Sequence, residues 1–99
     1  MRLFAATYAY DDRADERTAL RPEHLEYLDA LVDEGSLLAY GRYSDSKAPG
    51  ALFIYFADSE TAVEAWIEAD PFVEAGLVPD HVVRAWPALG PWPALLDSD

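Results

Sequence analysis

The sequence predicts an α+β fold in which two helices cover one face of a four-stranded antiparallel sheet. Three observations carry that expectation: four short apolar runs with strand character, two amphipathic segments at helical spacing, and their order along the chain, βαββαβ. That order is the split βαβ, or ferredoxin-like, arrangement, whose two helices lie side by side on the sheet.

The first strand is expected from Leu3 to Tyr10. The segment RPEHLEYLDALVDEG then reads as a helix from Pro22 to Glu34, since proline suits a first helical turn and Gly35 suits the stop. At about 100° per residue, Leu25, Tyr27, Leu28, Leu31 and Val32 share one arc, with Glu23, Glu26, Asp29, Asp33 and Glu34 outside it. Leu37 to Arg42 and Ala51 to Ala57 supply the middle strands. The second helix, DSETAVEAWIEADP, takes Ser59 or Asp58 as its N-cap and ends at Pro71, because a residue before proline is biased away from helical geometry. Its apolar arc holds Ala62, Val63, Trp66 and Ala69. The last strand runs from about His81 to Trp86.

Two ionisable residues break this pattern. His24 falls in the apolar arc of the first helix, and Asp70 in that of the second. A buried charge without a partner is costly, so two such groups are expected to face each other. Antiparallel helices bring the first turn of one beside the last turn of the other, which are the expected places of His24 and Asp70. A cleft at that end would be lined by His24, Asp70, Tyr8, Arg42, Tyr43 and His81 and would suit a small organic molecule; Tyr8, Tyr10, Tyr43 and Phe72 could line an aromatic pocket, with core or rim packing as the other reading of each. There Asp70 would orient the imidazole as a general base, while the positive end of the helix would favour its neutral form. The alternative is a structural bridge that only ties the helix ends together. Arg21 and Arg42 suit a substrate carboxylate held in a fork, and ordinary surface pairing is the other reading. His24, Asp70 and His81 form a two-histidine, one-carboxylate set in composition, but their scattered spacing argues against a metal site.

Composition bounds the function. In 99 residues, 19 acidic side chains face 7 basic ones, a net charge of -12 that disfavours phosphate backbones and anionic lipid surfaces. Nucleic acid and membrane partners are therefore not expected. There is no cysteine, so neither a disulfide framework nor thiol chemistry arises. The longest apolar run is too short to span a bilayer and no signal-peptide pattern opens the chain, so the expected compartment is the cytoplasm. No phosphate loop, nucleotide fingerprint or serine nucleophile signature appears, so the expected chemistry needs no cofactor. Strand three is apolar on both faces, with Leu52, Ile54 and Phe56 on one and Ala51, Phe53 and Tyr55 on the other. Helices cover only one face, so a homodimer is expected through the second. The alternative cover is the tail, residues 88–99, in which Trp92-Pro-Ala-Leu repeats Trp86-Pro-Ala-Leu.

The strand ending near Tyr8, Arg17, the segment Arg21-Pro-Glu-His24-Leu, Leu28 to Leu31, Asp33-Glu-Gly35, Leu37-Leu-Ala-Tyr-Gly41 and Asp70-Pro-Phe-Val-Glu-Ala-Gly76 together resemble the YCII-related family over about residues 1–87. The resemblance implies a ferredoxin-like domain, a dimeric α+β barrel similar to muconolactone isomerases, and His24 and Asp70 as the active-site pair. Two functional readings of the residues stay open: a small cofactor-free lyase or isomerase, or a non-catalytic dimeric module that binds a small ligand or a protein. This chain departs from the family at Gly41-Arg42, where many members have Gly-Pro, near Ala51, where a small hydroxyl residue is frequent, and in its longer tail.

Overall fold

The computed structural model describes residues 1–96. Strands β1 (Arg2–Ala9), β2 (Leu37–Arg42), β3 (Gly50–Ala57) and β4 (Asp80–Ala85) form one antiparallel sheet in the order β2-β3-β1-β4. Helices α1 (Ala14–Asp33) and α2 (Glu60–Glu68) are the two long connections, a single turn α3 (Pro71–Glu74) follows α2, and α4 (Pro91–Leu96) lies in the tail. The expected ferredoxin-like α+β fold is present.

The core forms because side chains on a strand alternate between faces while those on a helix repeat every three to four residues. Phe4, Ala6 and Tyr8 of β1 and Ala51, Phe53, Tyr55 and Ala57 of β3 point to one side of the sheet. There they meet Leu28 and Leu31 of α1 and Val63 and Ile67 of α2. Ser59 caps α2, its hydroxyl accepting the Ala62 N–H at 3.2 Å. Ile67, one turn after Val63, occupies the buried stripe, whereas Ala69 is the exposed C-cap. On α1, Val32 likewise turns to solvent.

Two boundaries differ from expectation in ways that matter for the site. Helix α1 begins eight residues before Pro22, which lies inside it. Residues 14–21 are rich in good helix formers, and Arg17 anchors this extra length by donating to the Asp11 carbonyl at 2.9 Å. These gains offset the one backbone donor that proline lacks. Asp70 is not in α2 at all. It has extended backbone (φ -63, ψ 128) and caps α3, as expected of a residue before proline and of an N-cap. Gly76, at φ +74, then turns the chain toward β4.

The helix-free face is only partly covered within one chain. Ile54 is buried and Phe56 half-buried, but Leu52 is 38% exposed and Val82 47%. The Trp86 N–H continues the pairing to the Leu3 carbonyl at 3.0 Å. Trp86, Leu89 and Leu96 then border a cavity with Leu3 and Phe56, so the tail reaches one end of this face. Among the described residues, no helix is long and apolar enough to cross a membrane.

Candidate active site

His24 and Asp70 are the two buried polar or charged residues that the core contains among the described residues. His24 continues the stripe of Leu28 and Leu31 along α1, and Asp70 reaches it from the cap of α3. His24 Nδ1 lies 2.7 Å from Asp70 Oδ1. That same oxygen accepts the Phe72 N–H at 3.0 Å, and Oδ2 accepts the Tyr8 hydroxyl at 2.8 Å. The carboxylate is thus met by three donors from three elements. A carboxylate offers acceptors only, so the network assigns the proton of the neutral ring to Nδ1 and leaves a lone pair on Nε2. Nε2 has no hydrogen-bond partner among the described residues. It is not sealed either, since the Tyr55 hydroxyl is the buried side-chain polar atom without a partner there. The Phe72 ring stacks on the imidazole at 3.8 Å with 2° between planes, so it walls the ring in while Asp70 fixes its orientation.

The helix dipole does not act on His24 as expected. This residue sits in the middle of a 20-residue helix, away from either end. The orienting group is the Asp70 carboxylate, with Tyr8 beneath. Burial first, and the Asp70 charge second, push the Tyr8 phenol far above its ordinary value, so it stays a donor.

The adjoining cleft has different walls from those expected. It is lined by Tyr10, Arg17, Arg21, Arg42, Tyr43 and Phe72, with Ala14, Thr18, Pro49 and Gly50 filling the floor and rim, and encloses about 180 Å³. His24, Asp70 and Tyr8 are therefore not wall residues; the His24 ring stacks on Phe72, which is one. His81 is held by Glu64 of α2, Nε2 to Oε2 at 2.8 Å, and is not part of this cleft. Among the described residues, His24, Asp70 and His81 do not come together as one group of ligands. Arg21, Arg42, Tyr43 and Phe72 do line the cleft.

Arg17 and Tyr10 complete it. The Arg17 guanidinium sits 4.6 Å from the Tyr10 ring centroid, and Tyr10 meets Phe72 edge-on at 6.1 Å. Burial, and next the charge of Asp70, push the Tyr10 phenol up to about 12, against the opposing pull of Arg17, Arg21 and Arg42. All three guanidinium groups thus act on one ring. Arg13 grips Asp11 through both carboxylate oxygens and reaches the Gly76 carbonyl at 2.7 Å, pinning the β1–α1 turn to the end of α3. Gly50 closes the floor. A Cβ there would lie 2.5 Å from the Tyr8 carbonyl oxygen and 3.2 Å from the Tyr43 ring. The sequence signal for Arg17 was its spacing of four from Arg21, visible once the helix is begun at Ala14 rather than Pro22.

Fold and site together define a small ferredoxin-like α+β protein with a buried histidine–aspartate pair beside a basic aromatic cleft. The chain belongs to the YCII-related family, whose domain model matches residues 1–87. It is 42% identical to Protein YciI of Escherichia coli O6:H1 and of Shigella flexneri, each match covering 76% of this chain and 86% of the relative. Among solved structures it is similar to 5-chloro-2-hydroxyhydroquinone dehydrochlorinase from Burkholderia phenoliruptrix AC1100, in complex with 2,5-dihydroxybenzoquinone. That likeness has a TM-score of 0.74 and 25% identity over 85% of this chain and 92% of the other. A likeness to an antibiotic biosynthesis monooxygenase, with a TM-score of 0.56 and 20% identity over 91% of this chain and 100% of the other, reflects the shared fold.

Proposed function

We propose that this protein is a cofactor-independent enzyme of the lyase or isomerase type that moves a proton on a small organic molecule, with His24 as general base and Asp70 as its orienting partner. The observation that carries this reading is the 2.7 Å contact from Nδ1 to Asp70 combined with an unbonded Nε2. In the step, Nε2 takes a proton from an acidic C–H and the C–H electron pair stays with the substrate as an enolate. In an elimination that pair expels a leaving group such as chloride; in an isomerisation the proton returns to another carbon. Asp70 stabilises the imidazolium formed meanwhile. The likeness to a dehydrochlorinase supports the choice of reaction class.

Deuterium exchange at the ring C–H of 2,5-dihydroxybenzoquinone, followed by proton NMR in D₂O, tests the reading. The wild-type protein should accelerate exchange and His24→Gln should lose about 10²-fold or more of that acceleration. Equal exchange in both proteins would refute it. A second reading, a module that binds a ligand without turnover, is favoured by His24 stacking on Phe72 rather than lining the cleft itself; saturable binding with no exchange would select it. We further propose that the protein acts as a homodimer joined through the helix-free sheet face, where Leu52 and Val82 remain exposed.

A further inference from the structure

We propose that the cleft selects small planar oxyanions, ring compounds bearing a carboxylate or an ionised enol, whose charge is taken by Arg21 and Arg42 while Tyr10, Tyr43 and Phe72 enclose the ring. This deepens the proposed function and rests on it only for the chemistry after binding.

Charge distribution supports this first. The chain carries 19 acidic residues and 7 basic ones, yet three of the seven line one cleft. Grouping like charges costs energy, and here carboxylates are plentiful enough to pair every guanidinium. Arg17 is so compensated: it lies 3.5 Å from Asp11 and donates to the Asp11 carbonyl. Arg21 and Arg42, by contrast, make no hydrogen bond or ion pair among the described residues, although both line the cleft. A guanidinium offers a flat fork of N–H donors, which matches two oxygens of a planar oxyanion better than it matches a lone charge.

Shape supports it next. The three aromatic side chains supply flat apolar walls, and the cleft's volume of about 180 Å³ is close to the size of cavity that holds one benzene ring. Helical register agrees. Arg17, Arg21 and His24 lie at successive i, i+4 and i+7 positions of α1, so Arg21 and His24 share a stripe. Three residues of helix separate them by about 4.5 Å along the axis, less than the length of a substituted ring. A ring anchored by its oxyanion at Arg21 therefore extends toward the turn that carries His24. The overall charge of -12 repels such ligands at a distance, so the local arginine field is what admits them.

Isothermal titration calorimetry at pH 7 with benzoate, 2,5-dihydroxybenzoquinone and the neutral isostere benzamide tests the proposal. At least one of the two anions should bind about tenfold or more tighter than benzamide. Tighter binding of benzoate assigns a carboxylate and tighter binding of the hydroxyquinone an ionised enol. Arg21→Gln and Arg42→Gln, at half-buried and exposed positions respectively, should each lose most of the preference for the anion while leaving benzamide unchanged. Benzamide binding as well as both anions, no binding of either anion, or arginine variants that keep the preference would overturn it. The two readings fail separately. Absent turnover with charge preference intact removes the catalytic reading alone, whereas turnover without charge preference removes this inference alone.

Discussion

Replacing Asp70 probes the centre of the site, because this fully buried carboxylate is the common acceptor of α1, β1 and α3. Asp70→Ala removes the cap of α3 and strands the Tyr8 hydroxyl and the His24 Nδ1–H in the core. Charge-assisted bonds contribute about 1.5–3 kcal/mol each and an N-cap about 1 kcal/mol, so the loss should reach about 4–7 kcal/mol. That is comparable with the whole stability of a small domain, about 5–15 kcal/mol, and partial unfolding of the variant is expected. Asp70→Asn gives the graded test. Its Oδ1 keeps the bonds to His24 and Phe72, while its amide can donate to a Tyr8 hydroxyl turned to accept, so the cost should fall to about 1–3 kcal/mol. Tyr8→Phe should cost about 1.5–3 kcal/mol in the wild-type background and less when combined with Asp70→Asn, a coupling of at least about 1 kcal/mol. Urea unfolding followed through the three tryptophans measures all of these. A cost below about 1 kcal/mol for Asp70→Ala, or additive losses in the double variant, would show that the carboxylate does not hold the three elements together.

Alkaline pH should destabilise the fold. Tyr8 and Tyr55 ionise in the folded chain well above their ordinary value of 10.0, chiefly through burial. Their contribution is complete below pH 10 and is lost above it, as the unfolded chain releases protons that the folded chain keeps, at about 1.4 kcal/mol per pH unit for each; unfolding curves at pH 9 and 11 that coincide would contradict this. Gly50→Ala should cost about 1–3 kcal/mol, since its Cβ would press on the Tyr8 carbonyl and the Tyr43 ring, and an unchanged thermal midpoint would refute that packing. Sedimentation should give a dimeric mass for the wild-type protein and a monomeric mass for the double variant Leu52→Glu/Val82→Glu; a wild-type monomer would reject the proposed assembly.

The fold was legible because its signals are periodic. The strands shift by only a residue at their ends, and both core stripes follow the helical repeat through Leu28, Leu31 and Val63. Proline misled at Pro22: it suits a first turn, but tertiary anchoring can carry a helix through it, as Arg17 does there. Starting α1 too late misplaced His24 at a helix end and hid Arg17. The meeting of His24 with Asp70 was legible from burial of charge combined with the helix topology, although Asp70 arrives as the cap of α3 and not on the face of α2. Tyr8 as a donor to Asp70 and Glu64 as the partner of His81 were not legible, since both depend on strand and helix placement that no local pattern encodes. The cleft's arginines were half legible, Arg21 and Arg42 by position and Arg17 only with the correct register.

The protonation pattern of the His24 ring decides whether Asp70 holds it ready to act as a base. Nitrogen-15 NMR of the imidazole at pH 9, where an ordinary histidine is neutral and the buried tyrosines keep their protons, reports which nitrogen carries hydrogen. The expected result is a single tautomer with Nδ1 protonated against Asp70 and Nε2 holding the free lone pair that a base requires. A ring with its proton on Nε2, or one averaging between the two tautomers, would contradict it.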